Sequence, residues 1–273
     1  MSSANSAKLQ TATGDELVRL IHEAPCHQLF PILDNPALDE TSLALLLHRK
    51  DLPADFLSEI LKRRHFLKNY LVRKLLVFHP HTPRNDTLRL LREVYLMDLI
   101  QFAISPGVLP DLKRKAEDQV IAKMPQLPLG QKITLARRSP ARIAGALLAD
   151  GQSMVVKAAL SNPNLTEAQV LRVLAKDKLA PIVTQSIAQH DKWTHMYNVR
   201  LALLRQPSTT LATALAFLPE LTVADLRALA APGILPENLS HYLQAEIHRR
   251  LQKSESQSAD GTIQKNPASN APE

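Results

Sequence analysis

Apolar residues in this chain recur at helical spacing in short segments separated by polar or proline-containing turns. The clearest module covers residues 155–175, where a short apolar run, Val155–Leu160, precedes a second segment. In that second segment Val170, Val173 and Leu174 are three and four residues apart, so they share one face of a helix. The pattern predicts pairs of short amphipathic helices.

The turns between these segments carry helix stop and start signals. Asn162-Pro163 ends the first helix of the module, because the residue before a proline is disfavoured in the α conformation. Thr166 is a predicted N-cap, and Gln169 three residues later completes a capping box. Asp39 and Thr222 are predicted to cap two further helices.

The first half of the chain is repeated in the second half at an offset of 162 − 35 = 127 residues. Roughly eighteen of about seventy positions between Asn35 and Ala103 are identical at this offset. The recurring motifs are Asn35-Pro36 with Asn162-Pro163, Tyr70-x-Val72-Arg73 with Tyr197-x-Val199-Arg200, Pro80-x-Thr82 with Pro207-x-Thr209, and Asp98-Leu99 with Asp225-Leu226. The segment Pro106–Pro110 recurs as Pro232–Pro236, at an offset one residue shorter. A long fixed period in a helix-rich chain is typical of stacked repeats.

The module resembles those of leucine-rich repeat variant proteins and of the broader HEAT-like α-solenoid group. Residues 156–165, followed by Val170 and Leu174-Ala175, carry the resemblance, and 199–207 is a weaker copy. The resemblance and the internal repeat together imply an all-α fold. The expected architecture is an α-solenoid, that is, a HEAT-like or ARM-type superhelix of roughly a dozen short helices in two tandem pseudo-repeats. Proteins of this kind are mostly scaffolds, and the chain resembles their uncharacterised bacterial members.

Composition agrees with many short helices. Leu and Ala dominate, aromatic residues are 4%, and seven glycines stand against nineteen prolines, which punctuate helices between apolar runs. Residues 1–14 and 253–273 are polar and predicted to be disordered tails. The solenoid is then expected over 15–252, with halves of about 15–125 and 126–252.

Several kinds of chemistry find no support in the sequence. Cys26 is the only cysteine, so a disulfide within the chain and a thiolate-based zinc or iron–sulfur site are both excluded. His79 and His81 are a histidine pair on a turn without an evident third ligand, so solvated turn histidines are the default expectation. No phosphate-binding glycine motif and no nucleophile elbow occur. We therefore predict no catalytic residue, no metal and no cofactor.

The chain is also expected to be cytoplasmic and not membrane-bound. Its first residues lack the apolar stretch of a secretory signal, and no run of about 18 apolar residues could span a bilayer.

An aromatic and basic set recurs with the repeat and is the first candidate binding site. Its members are Phe66, Tyr70 and Arg73 in the first half and Trp193, Tyr197 and Arg200 in the second. The spacing of four and three puts each set on one face if the segment is a single helix. The simpler interpretation is packing, with the aromatic residues in the core and the arginines reaching outward over them. The alternative is a ligand groove in which the arginines face an acidic partner.

Basic clusters are the second candidate, in a chain of formal net charge +7. They are Lys62-Arg63-Arg64-His65 with Lys68, Arg73 and Lys74, Lys113-Arg114-Lys115, and Arg137-Arg138 with Arg142 and Lys157. On one concave face they would form a positive track for nucleic acid. Interspersed acidic residues and few aromatic residues argue for ordinary solvated helix faces instead.

Two functional hypotheses follow from these patterns. The first is a non-catalytic scaffold or adaptor that binds a protein partner through the extended surface created by stacked repeats. The alternative is a nucleic-acid-binding HEAT-like solenoid with a basic concave face, which includes the case of a DNA glycosylase-like enzyme. A small-molecule enzyme has the least support, because it requires a pocket of converging titratable groups.

Overall fold

Short helices joined by tight turns make up the whole of the described structure. A computed structural model of the protein describes residues 2–231 and 240–252, and no β-strand occurs in those two ranges. The predicted all-α class is therefore confirmed. The chain divides into two compact units, Met1–Leu127 and Pro128–Glu273.

The first unit contains eight α-helices and several single turns of 3₁₀ helix in its described residues. The α-helices are α1 (Ser2–Thr11), α2 (Gly14–Glu23), α3 (Glu40–His48), α4 (Ala54–Lys62), α5 (Tyr70–Phe78), α6 (Arg84–Leu90), α7 (Leu96–Ile104) and α8 (Pro110–Lys123). The 3₁₀ segments are Cys26–Gln28, Phe30–Asp34, Phe66–Lys68, Leu91–Glu93 and Met124–Gln126.

The second unit has helices at corresponding positions, with one α-helix over 153–160 in place of the first two 3₁₀ segments. Its α-helices are α9 (Leu129–Arg138), α10 (Ala141–Leu148), α11 (Ser153–Leu160), α12 (Glu167–Leu174), α13 (Pro181–Ala188), α14 (Asp191–Thr194), α15 (Tyr197–Leu204), α16 (Leu211–Phe217) and α17 (Val223–Leu229). Leu218–Glu220 is a 3₁₀ turn, and residues 240–252 are helical. Helices α1 and α9, and α6 and α16, have bounds that differ by 127 residues at both ends.

Local capping explains where several helices begin. The Asp39 carboxylate accepts a hydrogen bond from the backbone N–H of Ser42 at 2.8 Å, and the Thr222 hydroxyl accepts one from Asp225 at 3.2 Å. These two predicted caps are confirmed. Thr166 lies at the N-cap of α12, but its side chain makes no capping hydrogen bond, so the predicted capping box is wrong.

Most helices pack against elements one to three places away in the chain. In the first unit α3 packs against α2 and α5, and α8 packs against α6 and α7. In the second unit α11 packs against α9, α10 and α13, and α15 packs against α12, α13 and α14. The contacts bury aliphatic side chains such as Leu43, Leu46, Val156 and Val170. Full burial of one such side chain stabilises the fold by roughly 1.5–3 kcal/mol.

Two buried asparagines bridge successive helical segments in the same way. The Asn35 side-chain amide donates to the carbonyl oxygens of Leu9 and Ala12 at 2.8 and 2.9 Å. Asn162 donates to the carbonyl oxygens of Ala136 and Ser139 at 2.7 and 3.0 Å. Each side-chain oxygen also accepts a backbone N–H two residues ahead, at 2.8 Å in both units. These bonds satisfy carbonyls that the ends of α1 and α9 leave free.

Three further hydrogen bonds recur at the offset of 127. The His79 and Gln206 side chains bond carbonyl oxygens at the ends of α3 and α12. The hydroxyls of Thr82 and Thr209 donate to the carbonyls of Leu76 and Leu203, and the cations of Lys123 and Arg250 donate to those of Val94 and Leu221. His79 is buried, which lowers its pKa, so the expectation of a solvated turn histidine was wrong for this residue.

Other expectations differ from the structure. Residues 1–14 were predicted to be a disordered tail, whereas α1 is helical and buries Leu9 beneath the segment that Asn35 anchors. The described residues hold more helices than the predicted dozen, because turns break segments that the pattern treated as continuous. The predicted tail 253–273 and the second copy of the proline motif, residues 232–236, lie outside the described residues.

Candidate functional site

The predicted aromatic and basic set of the first unit forms a polar cluster at the start of α5 and α7. The Tyr70 hydroxyl donates to the Asp98 carboxylate and accepts the backbone N–H of Tyr95 at 3.1 Å. The Tyr70 ring stacks on the Tyr95 ring, with 3.9 Å between centroids. Burial and the bond to Asp98 raise the pKa of Tyr70 to about 12. The hydroxyl is therefore a structural donor at neutral pH.

Asp98 and the neighbouring cations complete this cluster. Lys74 Nζ lies 2.8 Å from Asp98 Oδ1. Burial disfavours ionisation of Asp98, but the hydrogen bonds from Lys74 and Tyr70 outweigh it and hold the pKa of the carboxyl below its usual value. Arg73 lies over the Tyr70 ring and binds Glu93 at 2.8 Å.

The second unit repeats the arrangement with a more buried arginine. The Tyr197 hydroxyl donates to Asp225 and accepts the backbone N–H of Thr222 at 3.1 Å. Arg200 pairs with Glu220 and donates to the carbonyl of Thr194. Only 9% of Arg200 is exposed, so the expectation that both arginines reach out over the aromatic residues is wrong for Arg200.

The third predicted member of each set is not on the same helix as the other two. Trp193 lies on α14 and Tyr197 begins α15, while Phe66 belongs to a 3₁₀ turn that ends before α5. Asn69 caps α5 through the N–H of Leu71 at 2.7 Å, which breaks the segment there. Trp193 is fully buried and its indole N–H donates to Leu160, so it has no surface to offer a ligand.

The predicted basic residues separate into paired and unpaired groups. Arg63 binds Asp34 at 2.5 Å and lies near Glu59. Arg64 is exposed in the first unit, and Arg137, Arg138 and Lys157 are exposed in the second. No acidic partner of these four occurs among residues 2–231 and 240–252.

Arg64 lines a cleft of the first unit that has a volume of about 710 Å³. This first cleft lies between α4, the Phe66–Lys68 turn, α6 and the Leu91–Glu93 turn. Leu61, Leu67 and Leu90 contribute apolar side chains to it. Its charged residues are Lys62, Arg64, Lys68, Arg89, Asp86 and Glu93.

The corresponding helices of the second unit, α13 and α16, border a smaller second cleft of about 290 Å³. Its lining contains only hydroxyl, amide and small apolar side chains: Thr184, Gln185, Ala188, Gln189, Ser208, Thr209, Thr210 and Thr213. Of these two clefts, only the first has a charged lining. Arg89 and Glu93 were not singled out from the sequence, although a comparison of the two copies would have marked Arg89, whose counterpart is Ala216.

A group of exposed apolar side chains flanks the Tyr70 cluster. We call Leu71, Tyr95 and Met97 the apolar edge; they are 48%, 64% and 64% exposed. Leu71 follows Tyr70 directly, and Met97 is two residues after the ring that stacks on Tyr70. Two members of the edge follow lining residues of the first cleft closely in sequence: Leu71 is three residues after Lys68, and Tyr95 is two residues after Glu93.

The surroundings of Cys26 favour its protonated thiol, which is a poorer nucleophile than the thiolate. Cys26 Sγ donates to Asp51 Oδ2 at 3.0 Å, and that bond, with burial, raises the pKa of the thiol. Arg49 binds the Asp51 carboxylate with two nitrogens, at 3.0 and 2.6 Å. The same guanidinium donates to two carbonyls at the end of α2, so this group anchors a helix end.

The described part of the chain contains no group of three or more His, Cys, Asp or Glu residues placed to hold a metal ion. Within residues 2–231 and 240–252, no helix combines the length and the apolar character needed to cross a membrane. Comparison with known proteins gives no match to a protein-family model, to a curated protein or to a solved structure. The geometry of the residues therefore carries the functional proposal.

Proposed function

We propose that the chain is a protein-binding α-solenoid of the HEAT-like kind, built from two tandem copies of one helical block. The recurrence of side-chain hydrogen bonds supports the duplication, since Asn35 and Asn162, and Tyr70 and Tyr197, bond equivalent groups at the same offset. Packing of each helix against its near neighbours in sequence supports stacking, because repeat proteins bury their cores through such contacts.

The apolar edge is the observation that carries the binding role. Large apolar side chains exposed next to one another mark interaction surfaces more often than isolated ones do. The counterparts of Leu71, Tyr95 and Met97 in the second unit are Asn198, Thr222 and Ala224. The fold of the repeat therefore does not require large apolar side chains at these positions. Binding to a partner explains why the first unit has them.

Catalysis has less support than binding. The candidate thiol of Cys26 has a raised pKa, and the hydroxyls of Tyr70 and Tyr197 are committed to Asp98 and Asp225. These groups hold helices together.

The test is retention of a protein on the immobilised full-length chain from a nuclease-treated extract of the cells that make it. We expect one defined protein to be retained, and to be lost when Tyr95→Ser and Met97→Ser are combined. The matched control combines Tyr242→Ser and Met154→Ser, which replace a Tyr and a Met of the second unit that are also exposed. Equal loss in both variants, or retention that disappears with nuclease alone, would contradict the proposal.

Nucleic-acid binding is the alternative, and the exposed Arg64, Arg137, Arg138 and Lys157 favour it. Phosphate contacts make affinity fall steeply as salt rises. A gel shift at low salt with labelled single-stranded and double-stranded DNA tests this alternative. Complexes at micromolar protein that weaken in Arg137→Glu and Arg138→Glu variants would favour it over the scaffold.

A further inference from the structure

The first cleft carries charge that the fold does not need. Four cationic side chains and two carboxylates line it. At the same positions of the second unit, Lys62 and Arg89 are replaced by Gln189 and Ala216, yet α13 and α16 still form. Helix α16 keeps the bounds of α6 at the offset of 127, and α13 ends one residue earlier than α4 does. The cations of the first unit are therefore dispensable for building the helices, which points to a ligand as their purpose.

Part of this positive charge is uncompensated. Glu93 binds Arg73 at 2.8 Å, and Asp86 lies 3.8 Å from Arg89, so both carboxylates already have cationic neighbours. Lys62 binds Glu59 at 3.0 Å. Arg64 and Lys68 are exposed and have no acidic partner in the described parts of the chain. Their counterparts in the second unit are Asp191 and His195.

The apolar residues of the first cleft restrict the kind of anion. Leu61, Leu67 and Leu90 line the cleft beside the charged groups; Leu67 is half-buried, and Leu61 and Leu90 are buried beneath the cleft. A polyphosphate backbone has no apolar groups to place there, and Asp86 and Glu93 would repel its closely spaced charges. A peptide that alternates carboxylates with aliphatic side chains complements both features of the surface.

We propose that the first cleft binds an acidic segment of a partner protein, in which Asp or Glu residues alternate with aliphatic residues. Arg64 and Lys68 bind the carboxylates, and the half-buried Leu67 contacts the aliphatic side chains. This proposal rests on the protein-binding function above and names the chemistry of the partner.

The probe is a labelled synthetic peptide of alternating Glu and Leu residues, titrated with the full-length chain and followed by fluorescence anisotropy. We expect binding that weakens as salt is raised, since the Debye length falls to about 3 Å near 1 M. Combined Arg64→Gln and Lys68→Gln substitutions should weaken binding by roughly fivefold to tenfold, the effect of losing two exposed ion pairs.

The control keeps the change in net charge and moves it to the second cleft. Gln185→Glu with Gln189→Glu also lowers the net charge by two, at exposed positions of α13 and the turn after it. This variant should bind the peptide less than twofold more weakly. Equal weakening in both variants would show that only the overall charge matters, and would overturn the proposal.

Two further outcomes would also overturn it. One is a Gln/Leu peptide that binds as tightly as the Glu/Leu peptide. The other is single-stranded oligo-dT that binds more tightly than the Glu/Leu peptide and whose binding is weakened by Arg64→Gln with Lys68→Gln. A cellular protein could also be retained by the variant with Arg64→Gln and Lys68→Gln and lost from the variant with Tyr95→Ser and Met97→Ser. That result would refute this proposal and leave the protein-binding function intact.

Discussion

The buried asparagine of the second unit provides the sharpest test of how the helices are held together. Asn162 is 1% exposed and makes three hydrogen bonds, two to the carbonyls of Ala136 and Ser139 and one from the N–H of Asn164. At about 1 kcal/mol for each bond, Asn162→Ala should lower the free energy of unfolding by about 3 kcal/mol. Asn162→Asp, which keeps the side-chain volume but turns a carboxylate toward two carbonyls, should cost more.

The measurement is urea denaturation followed by the fluorescence of Trp193, the only tryptophan of the chain, which lies in the same unit. Asn35→Ala should lower the free energy of unfolding by about the same amount, because Asn35 makes three equivalent hydrogen bonds. Far-UV circular dichroism follows the unfolding of this variant. Asn85→Ala, on the exposed side of α6, is the control and should change stability by less than about 0.5 kcal/mol. The reasoning is refuted if Asn162→Ala costs no more than the control.

Three further predictions concern Tyr70, Lys132 and Trp193. Burial and Asp98 raise the pKa of Tyr70 from its ordinary value of 10.0 to about 12, so the unfolded chain ionises first and stability should fall as pH rises through this range. Urea denaturation of Tyr70→Phe should show a smaller fall, and an unchanged fall would contradict this assignment. Lys132 Nζ binds Asp150 at 2.9 Å in a buried setting, so Lys132→Met should cost roughly 3 kcal/mol in urea denaturation, and adding Asp150→Asn should recover part of it; no recovery would contradict the ion-pair argument. Trp193 should emit at short wavelength and resist acrylamide quenching in the native state, and red-shifted native emission would contradict its burial.

The helices themselves were largely predictable from the sequence because their signals are local. The spacing of Val170, Val173 and Leu174 predicted the buried face of α12, and all three residues are buried. The caps at Asp39 and Thr222 depend on residues three positions away. The break before α5 was missed, because the spacing of Phe66, Tyr70 and Arg73 suits a continuous helix as well as a broken one.

The candidate binding residues were less predictable than the helices. Arg73 and Arg200 occupy equivalent positions, yet one is partly exposed and the other is buried against Glu220 and the Thr194 carbonyl. His79 appeared to be a turn residue, and only the fold brings it to the carbonyl of Arg49, thirty residues earlier in the chain. Such partners are set by packing between helices, which no local pattern encodes.

Three properties followed from local sequence patterns: the all-helical class of the described residues, the places where several helices begin and end, and the positions that recur at 127 residues. These properties depend on backbone preferences and on apolar spacing within a few residues. Other properties required the packed helices: which recurring side chains are buried, which carbonyls they bind, and the cleft that Arg64 and Lys68 share with Leu61 and Leu90. The burial and the hydrogen-bond partners of these side chains depend on residues about 20 to 30 positions away in the chain. They are therefore fixed only when the helices pack together.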